Sequence, residues 1–315
     1  MAPFLRAEFP AQGPLVASIT EDSVKPAEKP ARVKGPLIYR QSILTRLTHW
    51  VWAICLFFLL FSGLNIFNAH PTLYVGQQSS FPDLQTGKPS FNAAWLDIGA
   101  VNTDNGPRGQ TTLLGHTFDT TGVLGLSGDP NDSNGYRAFP EWLTIPNWYD
   151  LASARVVHFF FAWVLVATLL IWLVASILNR HIADIPPTAT DLRHLPRDVL
   201  NHLRLRFEHG RKYNVLQKIA YSVVLFILFP LIVATGLTMS PGMDSRLPWL
   251  LDFFGGRQTA RSIHFLTMSA FVLFFVVHIV MVLLAGPFNE LRQMITGRYR
   301  AGSDVPFDAS KRDKP

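Results

Sequence analysis

Apolar residues fall in four long blocks, at about 47–67, 152–178, 215–238 and 261–285, separated by polar stretches rich in charge, proline or glycine. Each block is close to the roughly 20 residues that carry a helix across the hydrocarbon core of a bilayer. The pattern predicts an all-α integral membrane protein, a bundle of four transmembrane helices with a long insertion between the first and the second. His49 stands in the first turn of block one, where Trp50 and Trp52 mark the interface, and His158 stands near the beginning of block two. Block three has no histidine; Pro230 is expected to bend it, and Gly236 leaves room near its far end. Block four carries His264 and His278.

The segment 68–151 has ten glycines and no lasting periodicity, and reads as a turn-rich extramembrane insertion. Its aromatics, Phe81, Phe91, Trp95, Phe139, Trp142 and Trp148, are too many for a flexible linker and predict a packed cap over one membrane face. The link between blocks two and three has an amphipathic stretch at 198–207 that suits a short helix on the membrane surface. Its histidines, His181, His194, His202 and His209, have no carboxylate or cysteine pattern around them and read as solvated. The segment PWLLDFF before block four suits the interface. Residues 1–40 are rich in Pro, Ala and charge, without the apolar core of a signal peptide, and read as a disordered tail. With a second tail at 300–315, the membrane domain spans 41–299.

Composition supports the membrane reading: 49% of the 315 residues are hydrophobic and only 16% are charged. A formal charge of +6 would suggest nucleic acid in a soluble protein, but here the basic residues lie in blocks between apolar runs. Of the 28 Lys and Arg, 21 lie before residue 47, between 180 and 218, or after 286. The positive-inside rule then puts both termini in the cytoplasm and the insertion outside. The one cysteine, Cys55, lies within an apolar block, which leaves no disulfide, iron–sulfur or zinc set and no CxxCH for covalent haem.

Fourteen residues separate His264 from His278. At about 100° per residue this is some 40° short of four full turns, with a rise of about 21 Å, so both rings leave one face of the helix at opposite depths. Ionisable side chains within spanning helices are rare and are functional candidates by default. By depth, His158 pairs with His264 at the outer level and His49 with His278 at the inner level. Each pair can give two axial ligands to a flat macrocycle held between helices, which fills an iron's coordination sphere and suits electron transfer. Arg46, Arg155 and Arg261 each precede a histidine by three residues, on the same face and one turn nearer the water. They suit either a haem propionate or a lipid phosphate. Gly63 lies fourteen residues after His49, at the outer level, where a side chain would meet the second macrocycle.

With histidines on the first and second spans and two more fourteen apart on the fourth, the chain resembles the bacterial di-haem cytochrome b561 superfamily, over about residues 39–299. The stretch SILTRLTHWVWAICLFFLLFSGLNIFNAHPTLYVG and the long first loop are most similar to its thiosulfate-reductase-type cytochrome b group. The resemblance implies two noncovalent b-type haems on His49, His158, His264 and His278. It also implies electron exchange between the quinone pool and a partner oxidoreductase, often a molybdopterin enzyme in that group. The insertion is large and carries few cues of its own, so it does not identify the partner. The alternative is a self-contained transmembrane haem reductase whose loop binds a small substrate. A transporter is disfavoured by Phe271, Phe274 and Phe275 between the two histidine levels. Candidates for a quinone contact are Asn214, Gln217 and Lys218, at the inner end of span three.

Overall fold

A computed structural model describes residues 35–79, 94–132, 135–203 and 215–300. The expected tails fall almost wholly outside these residues, as do Phe81, Phe91, His209 and Asn214. Among the described residues four helical stretches are long and apolar enough to cross a membrane: 43–67, 151–178, 215–239 and 257–285.

A short strand β1 (Leu37–Tyr39) leads into α1 (Ile43–Phe67). This helix begins a turn before the apolar block because Ser42 caps it, its side chain accepting from Thr45 N at 3.1 Å. After α1 come β2 (Thr72–Leu73), β3 (Leu96–Thr103), β4 (Gly106–Leu113) and β5 (His116–Asp119), an antiparallel meander in the order β2-β3-β4-β5. The expectation of an all-α chain therefore holds for the membrane part, while the insertion carries a sheet. Its two-residue connections explain the sheet: Asp104 and Asn105 join β3 to β4, and Leu114 and Gly115, both at positive φ, join β4 to β5. Only Leu96 and Ile98 of β3 alternate inward, too short a run to register as a strand pattern.

The chain then enters α2 (Leu151–Leu178), capped by Asp150, whose carboxylate accepts from Ser153 N at 3.0 Å. The surface helix of the link is α3 (Ala189–Leu203), well upstream of the expected 198–207. A reciprocal cap starts it there: Thr188 Oγ1 accepts from Asp191 N at 3.2 Å and Asp191 accepts from Thr188 N at 2.8 Å. The third span is α4 (Val215–Val223), a π-turn at Val224–Leu228, then α5 (Phe229–Met239). Pro230 has no N–H and its ring crowds the carbonyl four residues back, so the widened turn directly before it relieves the clash. Two short helices, α6 (Pro241–Asp244) and α7 (Pro248–Phe253), lead to α8 (Arg257–Ala285). α9 (Pro287–Thr296) and β6 (Arg298–Arg300) follow, and β6 pairs with β1.

Helix α1 packs along α2, and α5 along α8. At mid-depth the four spans meet in a core of one residue each: Cys55, Leu165, Phe229 and Phe271. Phe57, Phe160, Trp163, Ile171, Leu273 and Phe275 are exposed on the outside of the bundle, the surface that a bilayer covers. Over one end sits the cap, where Phe67 of α1 and Phe265 of α8 pack with Leu73, Leu96, Ile98 and Trp95. The cap also satisfies the start of α8, because the Gly76 carbonyl accepts from Gln258 N and Thr259 N at 3.1 and 3.2 Å. Trp95 and Phe139 pack as expected, but Trp142 and Trp148 are 79% and 58% exposed. They stand just before α2, where an exposed indole belongs at a bilayer interface.

Candidate functional site

The four membrane histidines lie on three helices, and the structure brings them together in two pairs. His158 and His264 have ring centroids 6.5 Å apart at 55°, on the cap side; His49 and His278 are 6.4 Å apart at 55°, towards the far end. Helix α8 supplies one ring to each pair. One metal ion shared by two imidazole nitrogens, with bonds of about 2.0 Å and a ring radius of about 1.2 Å at either end, sets the centroids about 6.4 Å apart. Both gaps fit that distance, so each pair of rings could hold one metal ion between them.

The cap-side rings have partners on neighbouring helices. His158 Nδ1 lies 3.1 Å from Ser62 Oγ of α1, and His264 Nδ1 lies 3.0 Å from Thr235 Oγ1 of α5. In the far pair, His278 stacks on Phe274 at 5.7 Å and His49 meets Trp50 edge-on at 5.3 Å. The Nδ1 atom of His49 is buried without a hydrogen-bond partner.

The three arginines end in different surroundings. Arg155 is exposed and lies over the Phe159 ring at 5.7 Å. Arg46 donates to the Ile295 carbonyl of α9 at 2.5 Å, while its Nε is buried without a partner. Arg261 donates to the Thr72 carbonyl at 2.8 Å and to the His70 carbonyl, and lies over the Phe67 ring at 5.4 Å. It therefore ties the cap to α8. His70, in the segment between α1 and β2, is held below the ordinary imidazole range by burial first and Arg261 second, which keeps it neutral near pH 7. Gly63 lies at the level of His158, as its spacing predicts, and against the ring itself: a Cβ there would lie 3.3 Å from His158 Cε1.

Of the quinone-contact candidates, Lys218 is held by Asp191 at 2.7 Å. That ammonium, with the Thr188 backbone and hydroxyl, holds the Asp191 carboxyl well below the usual carboxylate range. Sequence reasoning did not find Ser62, Thr235 and the role of Gly236, whose added Cβ would lie 3.4 Å from His264 Cε1. Their signal is a repeated tetrad, SGLN at 62–65 and TGLT at 235–238.

The pattern that defines the family described as prokaryotic cytochrome b561 matches residues 133–297, over half of the chain. The chain belongs to the prokaryotic cytochrome b561 family. Its fold is accordingly that of an integral membrane helical bundle, and the family binds b-type haem. The matched region of this cytochrome b561 holds His158, His264 and His278; His49 and most of the cap precede it. The chain is also similar to a protein of Azospira oryzae named "Putative protein-methionine-sulfoxide reductase subunit YedZ1". The two are 32% identical over 147 residues, which is 46% of this chain and 71% of that protein.

Proposed function

We propose that this cytochrome is the membrane-bound electron-transfer subunit of an oxidoreductase, with two b-type haems. His158 and His264 ligate the one nearer the cap, and His49 and His278 the other. The observation that carries the reading is the pair of imidazole gaps, 6.5 and 6.4 Å, stacked along α8. When bound, haem iron supplies a one-electron carrier at each level. The chain's own residues hold the rings at that spacing, and the mid-depth core of Phe229, Phe271, Leu165 and Cys55 keeps water from between the levels. Arg155, with the remaining donors of Arg46 and Arg261, compensates the propionate charge.

Electrons pass between quinone at the uncapped, cytoplasmic end and a partner, a molybdopterin enzyme or a similar oxidoreductase, at the capped, outer end. The excess of Lys and Arg on the uncapped side supports this orientation in a bacterial inner membrane. The name of the YedZ1 relative, a reductase subunit, favours a separate catalytic partner over a self-contained reductase. Haem and protein quantified in the purified protein test the reading. Two low-spin haems per chain are expected, with His158→Ala or His264→Ala depleting the cap-side haem, and His49→Ala or His278→Ala the other. A ratio of one in the intact protein would sink the pairing, and a preparation with no stably copurifying subunit would favour the self-contained reductase.

A further inference from the structure

The two tetrads do the same work on opposite sides of one histidine pair. Ser62 and Thr235 are both fully buried. Ser62 Oγ donates to the Phe58 carbonyl at 2.5 Å, and Thr235 Oγ1 donates to the Leu231 carbonyl at 2.7 Å. A hydroxyl has one proton and two lone pairs. With the proton spent on its own helix, each oxygen faces its histidine as an acceptor, 3.1 Å from His158 Nδ1 and 3.0 Å from His264 Nδ1. Acceptors on this side place the ring proton on Nδ1 and leave the Nε2 lone pair for a metal. Next in sequence after each hydroxyl is a glycine, Gly63 or Gly236, whose missing Cβ lets the ring lie against the helix backbone. The far pair differs, for His49 Nδ1 has no partner.

We propose that Ser62 and Thr235 are positioning residues that set the tautomer, orientation and basicity of the cap-side ligand pair, and so hold the cap-side haem at a lower reduction potential than the same rings would give unaided. The inference rests on the haem-ligand reading above. An acceptor on Nδ1–H pushes electron density towards Nε2 and strengthens its donation to ferric iron, which favours the oxidised state. Two such acceptors on one haem and none on His49 also give the chain a means of setting its two levels apart.

The test is redox titration and electron paramagnetic resonance of the full-length protein in membranes, with the far haem as internal reference. In Ser62→Ala and in Thr235→Val, which keeps the side-chain volume, both haems are expected to remain. The ferrous-to-ferric ratio of the cap-side haem at a fixed potential should rise about threefold to tenfold, the worth of one hydrogen bond, while the far haem stays unchanged. Thr235→Ser keeps the acceptor and should return the parental potential, and Gly63→Ala should move the low-spin ferric signal of the cap-side haem alone by turning the His158 ring. An unchanged cap-side potential with both haems present, an equal shift of both haems, or a Thr235→Ser protein that behaves as Thr235→Val overturns the proposal. Failure of the underlying ligand reading looks different: His158→Ala or His264→Ala would then keep two haems.

Discussion

A single sequence signal, an arginine three residues before a histidine, leads to unlike environments at Arg155 and Arg261. Arg155 has its guanidinium exposed, while Arg261 spends donors on the His70 and Thr72 carbonyls. Spacing gave their common face and depth, but which groups would reach the guanidinium depends on a cap whose path the sequence does not announce. Their substitutions should therefore separate. Arg155→Leu removes a screened positive charge that favours the more negative, reduced haem, and should lower the cap-side potential by an amount worth on the order of 0.5–1 kcal/mol, with Tm unchanged. Arg261→Leu should also lower Tm, because it strips a charged donor from two carbonyls at a cost of about 1.5–3 kcal/mol each. Redox titration beside thermal melting checks both. Equal effects of the two substitutions on Tm would mean that the cap is not anchored through Arg261.

At the scale of elements, the spans were legible because about twenty apolar residues admit few other readings, and the histidine pairing was legible because helical pitch converts spacing into depth. The early starts of α1 and α8 were not, because Thr45 and Arg46 interrupt the apolar run in α1 and the first turn of α8 is polar, and both are helical through Ser42 and the Gly76 carbonyl, the latter a partner on another segment. Nor was the sheet, whose inward alternation is limited to Leu96 and Ile98. The π-turn at Val224–Leu228 was only half legible: Pro230 called for a distortion, but not for one that adds a residue to a turn. That extra residue sets the phase of everything after it in α5, including Thr235 and Gly236. Pro230→Ala, which removes the clash and lets regular pitch return over the same number of residues, should rotate both away from His264 by about 100°. The expected result is loss of the cap-side haem with the far haem kept, read from haem stoichiometry and the low-spin signals. A protein that keeps both haems at parental potentials would show that α5 is held in phase by packing rather than by the proline.

At the scale of the whole molecule, the cap is the one large described mass over the end where His158 and His264 lie. Its hairpin β3–β4 rests on Phe67 and Phe265 through Leu96 and Ile98, while the part beyond Ala100↔Gly109 projects outward with Val101 exposed. The insertion has eight acidic residues against Lys88, Arg108 and Arg137. Arg108 and Arg137 are already paired, with Asp119 and Glu141, at 3.0 Å each. The surplus is acidic, which suits a basic partner face and an association rate that falls as salt rises. If the cap were only a lid that keeps water from the haem, its tip would be dispensable. If it is the docking surface for the oxidoreductase partner, the tip carries part of the approach. Replacing residues 101–108 with a two-residue turn keeps the Leu96 and Ile98 register and leaves the haem ligands untouched. The haem spectrum should stay as it is, while electron transfer between quinol and the copurified partner slows. Unimpaired transfer in that variant, with both haems present, would place the partner elsewhere and leave the cap its lid role alone.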